Sequence, residues 1–488
     1  MLDQPNILLI VADQWRNDCL GSAGHPVVQT PHLDVLAAEG TNFTTAYSAV
    51  PSCIAARASL LTGLHQVNHG RIGYRDKVPW DYQLTLGSIF SNAGYHTQAV
   101  GKMHVYPARN LIGFHNVVLH DGYLHWNRTR QPNLSADDDY LFDLRRHHGI
   151  TADHIDTGIG CNGYVVSPWV YDTLLHPTAW VTSQSIDFLR RRDPTKPFFL
   201  FTSYHRPHPP LDPPRNYLDL YQGIQIPSPL IGHWVGKEGL PNISQRKYAF
   251  DSPKQLNSVQ INQARKAYFA QCTFIDHQIN RLIMALGEHN VFHNTVIVFV
   301  SDHGDMLFDH ELVGKSLPYQ RSAGIPLIIR TPTQPDFCKN QVISNPVELR
   351  DILPTLCDLA GIPIPDEIDG KSLGPFLRGE NPPWRESLHG EHESGDWSNH
   401  WITDGVMKYI WYSQTGKEQL FNNQEDPTEM MDLSQDFPQL LNQWRDKLIH
   451  ELEDRPEGFT KNGKLLSQRP VTSYLGQPGR RNVKNNPN

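Results

Sequence analysis

Short apolar runs recur along the chain, each bounded by polar residues and separated from the next by a segment of helical periodicity. Such runs are typical of strands that are buried on both faces of a sheet. Because strands that alternate with helices build parallel sheets, the pattern predicts an α/β fold with a mostly parallel sheet. The predicted strands are Asn6 to Asp13, His96 to Lys102, Phe198 to Tyr204, Thr295 to Asp302 and Ile325 to Arg330. The predicted helices are Thr30 to Glu39, Ile54 to Thr62, Leu84 to Ala93, Thr178 to Arg191 and Val259 to Leu286.

The pattern changes after residue 375, so we divide the chain there. Residues 1–375 are predicted to form the main domain. Short alternating runs and a final helix from Pro438 to Leu452 predict a smaller α+β subdomain over residues 376–454. Residues 455–488 are rich in Pro, Gly, Asn and basic residues, which predicts an extended tail that can pack on a neighbouring subunit of a homo-oligomer.

Length and charge limit the classes of ligand. A chain of 488 residues with 39% hydrophobic content can bury a sizeable core. Its formal net charge of -8 offers no basic field for nucleic acid or a long polyanion. We therefore expect a small anionic substrate and no nucleic acid.

The start of the chain and its cysteines indicate a compartment. The first apolar run, Asn6 to Asp13, is too short to span a bilayer and carries neither a basic start nor a cleavage signature. We expect a cytoplasmic protein without a membrane segment, unless a leader has been removed. The six cysteines form no Cys-x-x-Cys pair, which argues against a disulfide framework and against a zinc finger.

Polar pairs follow four of the predicted strands. The carboxyl ends of parallel strands share one edge of a sheet, where ligands of such folds bind. Singly, each pair is more often a cap or a satisfied polar group than part of a site. Together they predict one crevice that gathers Asp13 with Gln14, Lys102 with His104, His205 with His208, and Asp302 with His303.

Four of these side chains form a candidate metal site. Asp13 and Asp302 supply carboxylates, Gln14 an amide oxygen and His303 an imidazole. The oxygens suit calcium or magnesium, whereas the imidazole favours manganese or zinc. We predict one divalent ion, with calcium as the first choice.

Cys53 is the candidate nucleophile. Small residues and leucines after Cys53 predict a helix that begins there, and backbone N–H groups at a helix N-terminus favour an anion. Arg57 lies four residues further on the same face. The alternative for an isolated cysteine is a buried structural thiol. With Lys102 and Lys315, the predicted site is suited to an ester that carries a charged oxyanion group.

The segment Cys53-Ile-Ala-Ala-Arg57, followed by Leu61-Thr-Gly63, resembles the sulfatase signature, in which Cys or Ser begins Cys-x-Pro/Ala-x-Arg. The resemblance extends over nearly the whole chain. Further matching segments are Pro5 to Asp13, Thr30 to Asp34, Gly101 to His104, Arg206 to Pro209, Ser301 to Gly304, Gly314-Lys315, Asp404-Gly405 and Asp426 to Glu429.

This resemblance implies an alkaline-phosphatase-like fold and a formylglycine made from Cys53 by a maturase. In the family mechanism a hydroxyl of the aldehyde hydrate attacks sulfur, the alcohol departs, and sulfate is then eliminated to restore the aldehyde. The resemblance implies that Arg57 supports the formylglycine and that Lys102 and His104 contact its hydroxyls. It implies that His208 and Lys315 hold the sulfate and assist the leaving group, and we expect His104 to be the base of the last step.

Two departures from the signature bear on substrate and maturation. Many sulfatases have Asp-Asp and Asp-Asn where this chain has Asp13-Gln14 and Asp302-His303, and these pairs resemble the phosphonate monoester and phosphodiester hydrolases of the same superfamily. Ala55 replaces the proline that the oxygen-dependent maturase prefers, which indicates an anaerobic maturase and a bacterial source.

The first prediction is therefore a sulfatase that acts on a small sulfated carbohydrate. The alternatives are a phosphonate monoester or phosphodiester hydrolase and, from another class, a non-catalytic anion-binding relative. Candidates for recognition of the alcohol are His69, Arg71, Tyr106 and His310, although a solvated or rim position is the commoner role for such residues.

Overall fold

A computed structural model describes residues 4–124, 128, 137–241 and 256–476. Its strands in chain order are β1 Asn6–Asp13, β2 Thr41–Phe43, β3 Ala46–Tyr47, β4 His96–Gly101, β5 Asn116–Leu119, β6 Phe198–Pro207, β7 Thr295–Ser301, β8 Gly324–Ile325, β9 Leu327–Arg330, β10 Gln341–Ile343, β11 Val347–Glu348, β12 Leu388–His392, β13 Asn399–Thr403, β14 Met407–Tyr412, β15 Glu418–Asn422, β16 Thr460–Lys461 and β17 Lys464–Leu465.

The α-helices, numbered in the same way, are α1 Pro31–Glu39, α2 Cys53–Thr62, α3 Gln66–His69, α4 Leu86–Asn92, α5 Asp139–His148, α6 Pro177–Arg191, α7 Arg215–Asp219, α8 Ser258–Glu288, α9 Gln320–Ala323, α10 Ile352–Ala360, α11 Gly374–Leu377 and α12 Pro438–Glu451. Among the described residues, no helix is both long enough and apolar enough to cross a membrane.

An eight-stranded sheet organises the main domain, in the order β10-β2-β9-β7-β1-β6-β4-β5. Strands β7, β1, β6, β4 and β5 are parallel neighbours. Strand β9 runs antiparallel to both β7 and β2. The prediction of a mostly parallel α/β sheet is therefore confirmed, and the predicted strand Ile325 to Arg330 is the one that reverses direction.

Strand β1 shows how the two faces of this sheet are covered. All eight of its residues are buried. Leu8 and Ile10 pack in a core with α1, α6 and α8, whereas Ile7 and Leu9 pack in a second core with α2, α4 and α10. Because successive side chains of a strand point to opposite faces, a continuous apolar run is what a sheet with helices on both faces requires.

The C-terminal part contains a four-stranded antiparallel sheet in the order β12-β13-β14-β15. Helix α12 packs against β13 and β14 through Leu441, Trp444 and Leu448. The predicted α+β subdomain is present. Of the predicted tail, Phe459 is fully buried beside His400 of this subdomain, whereas Ser473 and Leu475 form backbone hydrogen bonds with Ile72 and Gly70 of the main domain. Residues 477–488 of the tail lie outside the described residues.

Candidate active site

Four adjacent parallel strands, β7, β1, β6 and β4, end at the same edge of the large sheet. Asp13 is the last residue of β1, Asp302 follows β7, Lys102 follows β4, and His208 follows β6. Helix α2 begins at this edge with Cys53. Residues that are far apart in sequence therefore meet because their strands are neighbours.

The Cys53 thiol lies among charged groups. Its Sγ is 3.2 Å from His303 Nε2, 3.7 Å from Asp13 Oδ1 and 3.9 Å from Lys102 Nζ. Burial raises the pKa of this thiol, but the surrounding cations outweigh burial, so the pKa lies below its ordinary value. A residue at this position is in an environment that favours negative charge.

Arg57 joins the ends of three strands. Its side chain is fully buried, and its Nε donates to Asp302 Oδ2 at 3.1 Å. Its Nη2 lies 3.5 Å from Asp13 Oδ2, and its Nη1 donates to Lys102 O at 2.6 Å and to Ser203 Oγ at 2.8 Å. These contacts hold the two carboxylates in place from the second turn of α2.

Asp13, Asp302 and His303 have donor atoms within 4.8 Å of one another and of the Cys53 thiol. Asp13 Oδ2 is buried and forms an ion pair with Lys102. His303 Nδ1 donates to the Gly304 carbonyl at 3.0 Å, which leaves Nε2 on the side of the carboxylates. Two carboxylates and an oriented imidazole fit a divalent cation.

Gln14 has a different environment from these three residues. Its backbone has a φ of 68°, and its N–H donates to Asp302 Oδ1 at 3.1 Å. Its Oε1 accepts from Lys315 Nζ at 2.8 Å, and its Nε2 donates to Asp305. The amide oxygen therefore contacts Lys315, and the backbone N–H of Gln14 is the group that reaches the carboxylate cluster.

His104 is a buried histidine whose two ring nitrogens have no hydrogen-bond partner among the described residues. Its backbone has a φ of 57°, and its N–H and that of Met103 both donate to Asp121 Oδ1 at 2.8 Å. Burial, assisted by Lys102, holds its pKa well below the ordinary value. A neutral imidazole with unpartnered nitrogens is available to a ligand.

His208 and His205 lie on the β6 side, with ring centroids 4.9 Å apart. His208 Nδ1 donates to the Pro209 carbonyl at 2.6 Å, so the lone pair of the neutral ring is on Nε2. Burial, followed by the charge of Lys315, holds the pKa of His208 well below its ordinary value.

The Cys53 thiol, both lysines and the histidines other than His303 line a cavity of about 280 Å³. Its size is near the lower end of the range of small-molecule sites. Its lining combines cations, histidines and two tyrosines: Ser52, Cys53, Tyr74, Lys102, His104, Asp121, Tyr123, Leu124, Cys161, Asn162, His205, His208, Lys315 and Ser316.

The residues that we considered for recognition of the alcohol are not among those that line this cavity. His69 is buried, with Nε2 3.0 Å from Ser59 Oγ. Arg71 is buried and donates through Nε to Tyr82 Oη at 2.8 Å. Both side chains support the segment behind the cavity.

Tyr106 and His310 also have structural contacts. The Tyr106 carbonyl accepts the Trp80 N–H at 2.8 Å. His310 Nδ1 accepts the Gly232 N–H at 3.1 Å, and its Nε2 donates to the Thr428 carbonyl at 3.0 Å. These four residues therefore have contacts within the protein and lie outside the lining of the cavity.

Asp305, which was not among the residues predicted from the sequence, organises the loop after β7. Asp305 accepts the N–H groups of Leu307 and Gly314, each at 2.8 Å, and the Tyr164 hydroxyl at 2.7 Å. It also accepts from Gln14 Nε2. The signal was its place three residues after Asp302, in the same motif. Tyr74 and Tyr123 at the cavity had no comparable signal.

The chain matches two family models. The sulfatase model covers residues 5–362, and the model of the C-terminal part of N-sulphoglucosamine sulphohydrolase covers residues 308–456. An arylsulfatase of Clostridium perfringens is 48% identical, over 96% of this chain and 99% of that protein. A multifunctional alkaline phosphatase superfamily protein of Trinickia caryophylli is 28% identical, over 94% and 99%.

Solved structures confirm the fold. A phosphonate monoester hydrolase of Agrobacterium radiobacter superposes with a TM-score of 0.77 at 25% identity, over 96% of this chain and 100% of that chain. A structure in complex with its substrate D-glucosamine-2-N,6-O-disulfate has a TM-score of 0.74 at 20% identity, over 92% and 98%. The fold is alkaline-phosphatase-like, and members of the matched family generally use a metal ion and formylglycine. The chain belongs to the sulfatase family and is a sulfuric ester hydrolase.

Proposed function

We propose that this enzyme is a formylglycine-dependent sulfatase that releases sulfate from a monoester of a small alcohol, such as a small sulfated carbohydrate. The observation that carries the proposal is the position of Cys53. Its thiol lies at the N-terminus of α2, 3.2 Å from His303 Nε2 and 3.9 Å from Lys102 Nζ, on the cavity surface. Hydrated formylglycine at this position supplies a hydroxyl nucleophile in place of the thiol.

Asp13, Asp302 and His303, with the amide oxygen of Gln14, would hold the divalent ion. The bound ion supplies positive charge against the developing charge of the reacting oxygens. We propose calcium, because three of the four ligand groups offer oxygen. Arg57 keeps Asp13 and Asp302 in place through its fully buried guanidinium.

The remaining cavity groups divide between anion binding and proton transfer. Lys102 and Lys315 bind sulfate oxygens, because both are cations that line the cavity. A negative charge bound beside His208 raises the pKa of that histidine, so that its Nε2 can protonate the leaving oxygen. His104 remains neutral and acts as the base that restores the aldehyde.

The cavity favours a small substrate. A volume of about 280 Å³ accommodates a sulfate group and about one ring of the alcohol. Tyr74 is 48% exposed at this cavity, and its ring centroid is 5.9 Å from that of His104. An aromatic side chain in this position can stack on the face of a sugar or an aryl ring.

Maturation is part of the proposal. Ala55 occupies the position of the signature at which the oxygen-dependent maturase prefers proline, so we propose an anaerobic maturase as the partner that oxidises Cys53. Helix α2 is completely buried in the folded chain. Such a maturase must therefore act before this helix has packed.

A second candidate function is hydrolysis of phosphonate monoesters or phosphodiesters. It is favoured by the pairs Asp13-Gln14 and Asp302-His303 and by the TM-score of 0.77 with a phosphonate monoester hydrolase. Both reactions require the same nucleophile and metal site, so the candidates differ in the anion that the cavity prefers.

The test is a comparison of kcat/KM for 4-nitrophenyl sulfate and for 4-nitrophenyl phenylphosphonate, with enzyme whose modification at Cys53 has been verified by mass spectrometry. The first proposal predicts a ratio of at least about a hundredfold in favour of the sulfate ester. A ratio that favours the phosphonate ester would assign the second function. Cys53→Ala protein from the same expression serves as the control for contaminating esterases.

A further inference from the structure

A second group of buried acidic and histidine side chains lies in the C-terminal sheet, outside the cavity. Glu391 is in β12, and Glu393 follows it at the next position on the same face. His400 in β13 is the register partner of Glu391. Glu391 and His400 are completely buried, and Glu393 is 2% exposed.

The three side chains converge. One donor atom from each lies within 4.8 Å of the others. His400 Nε2 is 3.0 Å from Glu393 Oε1 without the geometry of a hydrogen bond. Within the described ranges, both carboxylate oxygens of Glu393 are buried without a hydrogen-bond partner. The same is true of His400 Nε2. A buried carboxylate without a hydrogen-bond donor is costly unless a cation is bound to it.

The charges of this cluster do not balance. Arg455 donates to both oxygens of Glu391, at 2.8 and 2.7 Å, and also to Glu457 at 2.6 Å. Among the described residues, this guanidinium contacts Glu391 and Glu457 but not Glu393, so one cation faces three carboxylates and two negative charges remain.

We propose that Glu391, Glu393 and His400 bind a second divalent cation of the zinc or manganese class. Two carboxylates and one imidazole are a common ligand set for such ions, and a dication matches the two uncompensated charges. The surrounding contacts are those that orient metal ligands: His400 Nδ1 is 3.3 Å from His389 Nε2, and Arg455 holds Glu391.

The position of the cluster indicates that a bound ion would connect the C-terminal sheet to the main domain. The Glu391 N–H donates to the Ala49 carbonyl and the Glu393 N–H to the Ile72 carbonyl, each at 2.8 Å. Ala49 precedes Cys53 by four residues, and Ile72 precedes Tyr74 by two. The ion would therefore tie the C-terminal sheet to two segments that lead into the cavity.

Metal counting tests the proposal on the full chain. Metal-free protein is exposed to Zn²⁺ or Mn²⁺, passed through a desalting column and analysed by inductively coupled plasma mass spectrometry. The wild type is expected to retain about two equivalents, and Glu393→Gln, His400→Gln and Asp302→Ala about one each. The double variant Asp302→Ala with Glu393→Gln should retain none, which excludes adventitious surface sites.

Glu429→Gln is the matched control, because Glu429 is an equally buried carboxylate of the same subdomain that is paired with Lys408 at 2.9 Å and accepts the Gln320 N–H at 2.8 Å. Its metal content should equal that of the wild type. Wild-type protein that retains only the Asp302-dependent equivalent would overturn the proposal, and a protonated His400 paired with Glu393 would then account for the cluster.

Discussion

Two buried charge clusters lie near the carboxyl end of β1, and they differ in what their charged groups contact. In the first, Asp309 accepts from Arg16 Nη2 at 2.8 Å, from Arg265 Nη1 at 3.2 Å and from the Leu230 N–H at 3.0 Å. This carboxylate, 1% exposed, has partners for both oxygens and is packed against the core. Its contacts are complete within the chain.

In the second cluster, Asp13 is buried to the same degree but faces the cavity residues Cys53 and Lys102. Burial raises the pKa of Asp13, but Lys102 and the other cations lower it more, so it lies well below the ordinary value. The difference between the clusters is that the partners of Asp13 also face a ligand. Buried charges whose partners all lie within the chain stabilise a fold, whereas buried charges beside a cavity form a binding site for an ion and an anion.

The largest effect is expected at Cys53. Cys53→Ala should lower kcat for 4-nitrophenyl sulfate by about a thousandfold or more, because the nucleophile is removed. The peptide that carries Cys53 should show an aldehyde in active protein, which mass spectrometry detects. Cys357→Ala, in the buried core of α10, is the control and should retain turnover. Fully unmodified protein as fast as modified protein would refute the mechanism.

The next largest effect is expected for Asp302→Ala. Removal of this carboxylate strips charge from the metal site, so the activity-linked ion should be lost and kcat/KM should fall by about a hundredfold or more. Elemental analysis and turnover at saturating calcium measure the two losses. Full metal occupancy in this variant would remove Asp302 from the ligand set.

Asp309→Asn should have the opposite effect, because it should lower stability and leave the metal site intact. It leaves Arg265 buried without its carboxylate and Arg16 with Asp18 alone, so the free energy of unfolding should fall by about 3 kcal/mol. The remaining folded enzyme should keep its metal content and its KM. Urea unfolding and metal analysis on one preparation measure both quantities, and a loss of metal without a loss of stability would contradict the distinction.

A smaller effect is expected for His208→Ala and Lys315→Ala. Each should lower kcat/KM by about tenfold to a hundredfold for an alkyl sulfate and by less for nitrophenyl sulfate, because an activated phenol departs without protonation. The ratio of the two losses is the measurement. Equal losses on both substrates would assign these side chains to binding alone.

The smallest effect concerns pH. Burial holds the pKa of His205 well below its ordinary value of 6.5, so the unfolded chain binds more protons than the folded chain below that pH. Stability should therefore fall as the pH drops below about 6.5, by up to about 1.4 kcal/mol per pH unit for each such histidine. Asp309 affects stability only at lower pH. Its pKa is lowered, so the stability that its ionised carboxylate contributes is lost only when the pH falls into the acid range.

Unfolding free energies at pH 7.5, 6.5 and 5.5 for the wild type and His205→Gln test whether His205 causes the loss of stability below about pH 6.5. The variant should lose stability less steeply between pH 6.5 and 5.5. Identical slopes would show that His205 does not contribute to the acid response.

The main sheet was predictable because each strand carries its own signal. Strand β1 has the predicted bounds, and the helices α1, α2, α6, α8 and α12 begin and end within two residues of their predicted ends. A strand buried on both faces must be continuously apolar, and a helix must repeat every 3.6 residues, so local sequence is enough. The direction of β9 was not predictable, because an apolar run of that length fits either orientation.

The sequence motifs singled out Asp13, Cys53 and Asp302 as candidates, because unusual polar residues at strand ends and a helix start are visible along the chain. The rest of the site depends on contacts between distant segments. Tyr74 reaches the cavity, while His69 turns inward to Ser59. The backbone of His104 is left-handed, and Asp121 holds it by accepting the N–H groups of Met103 and His104. Such choices are made by packing and by pairing of buried polar groups across the fold, which no local pattern encodes.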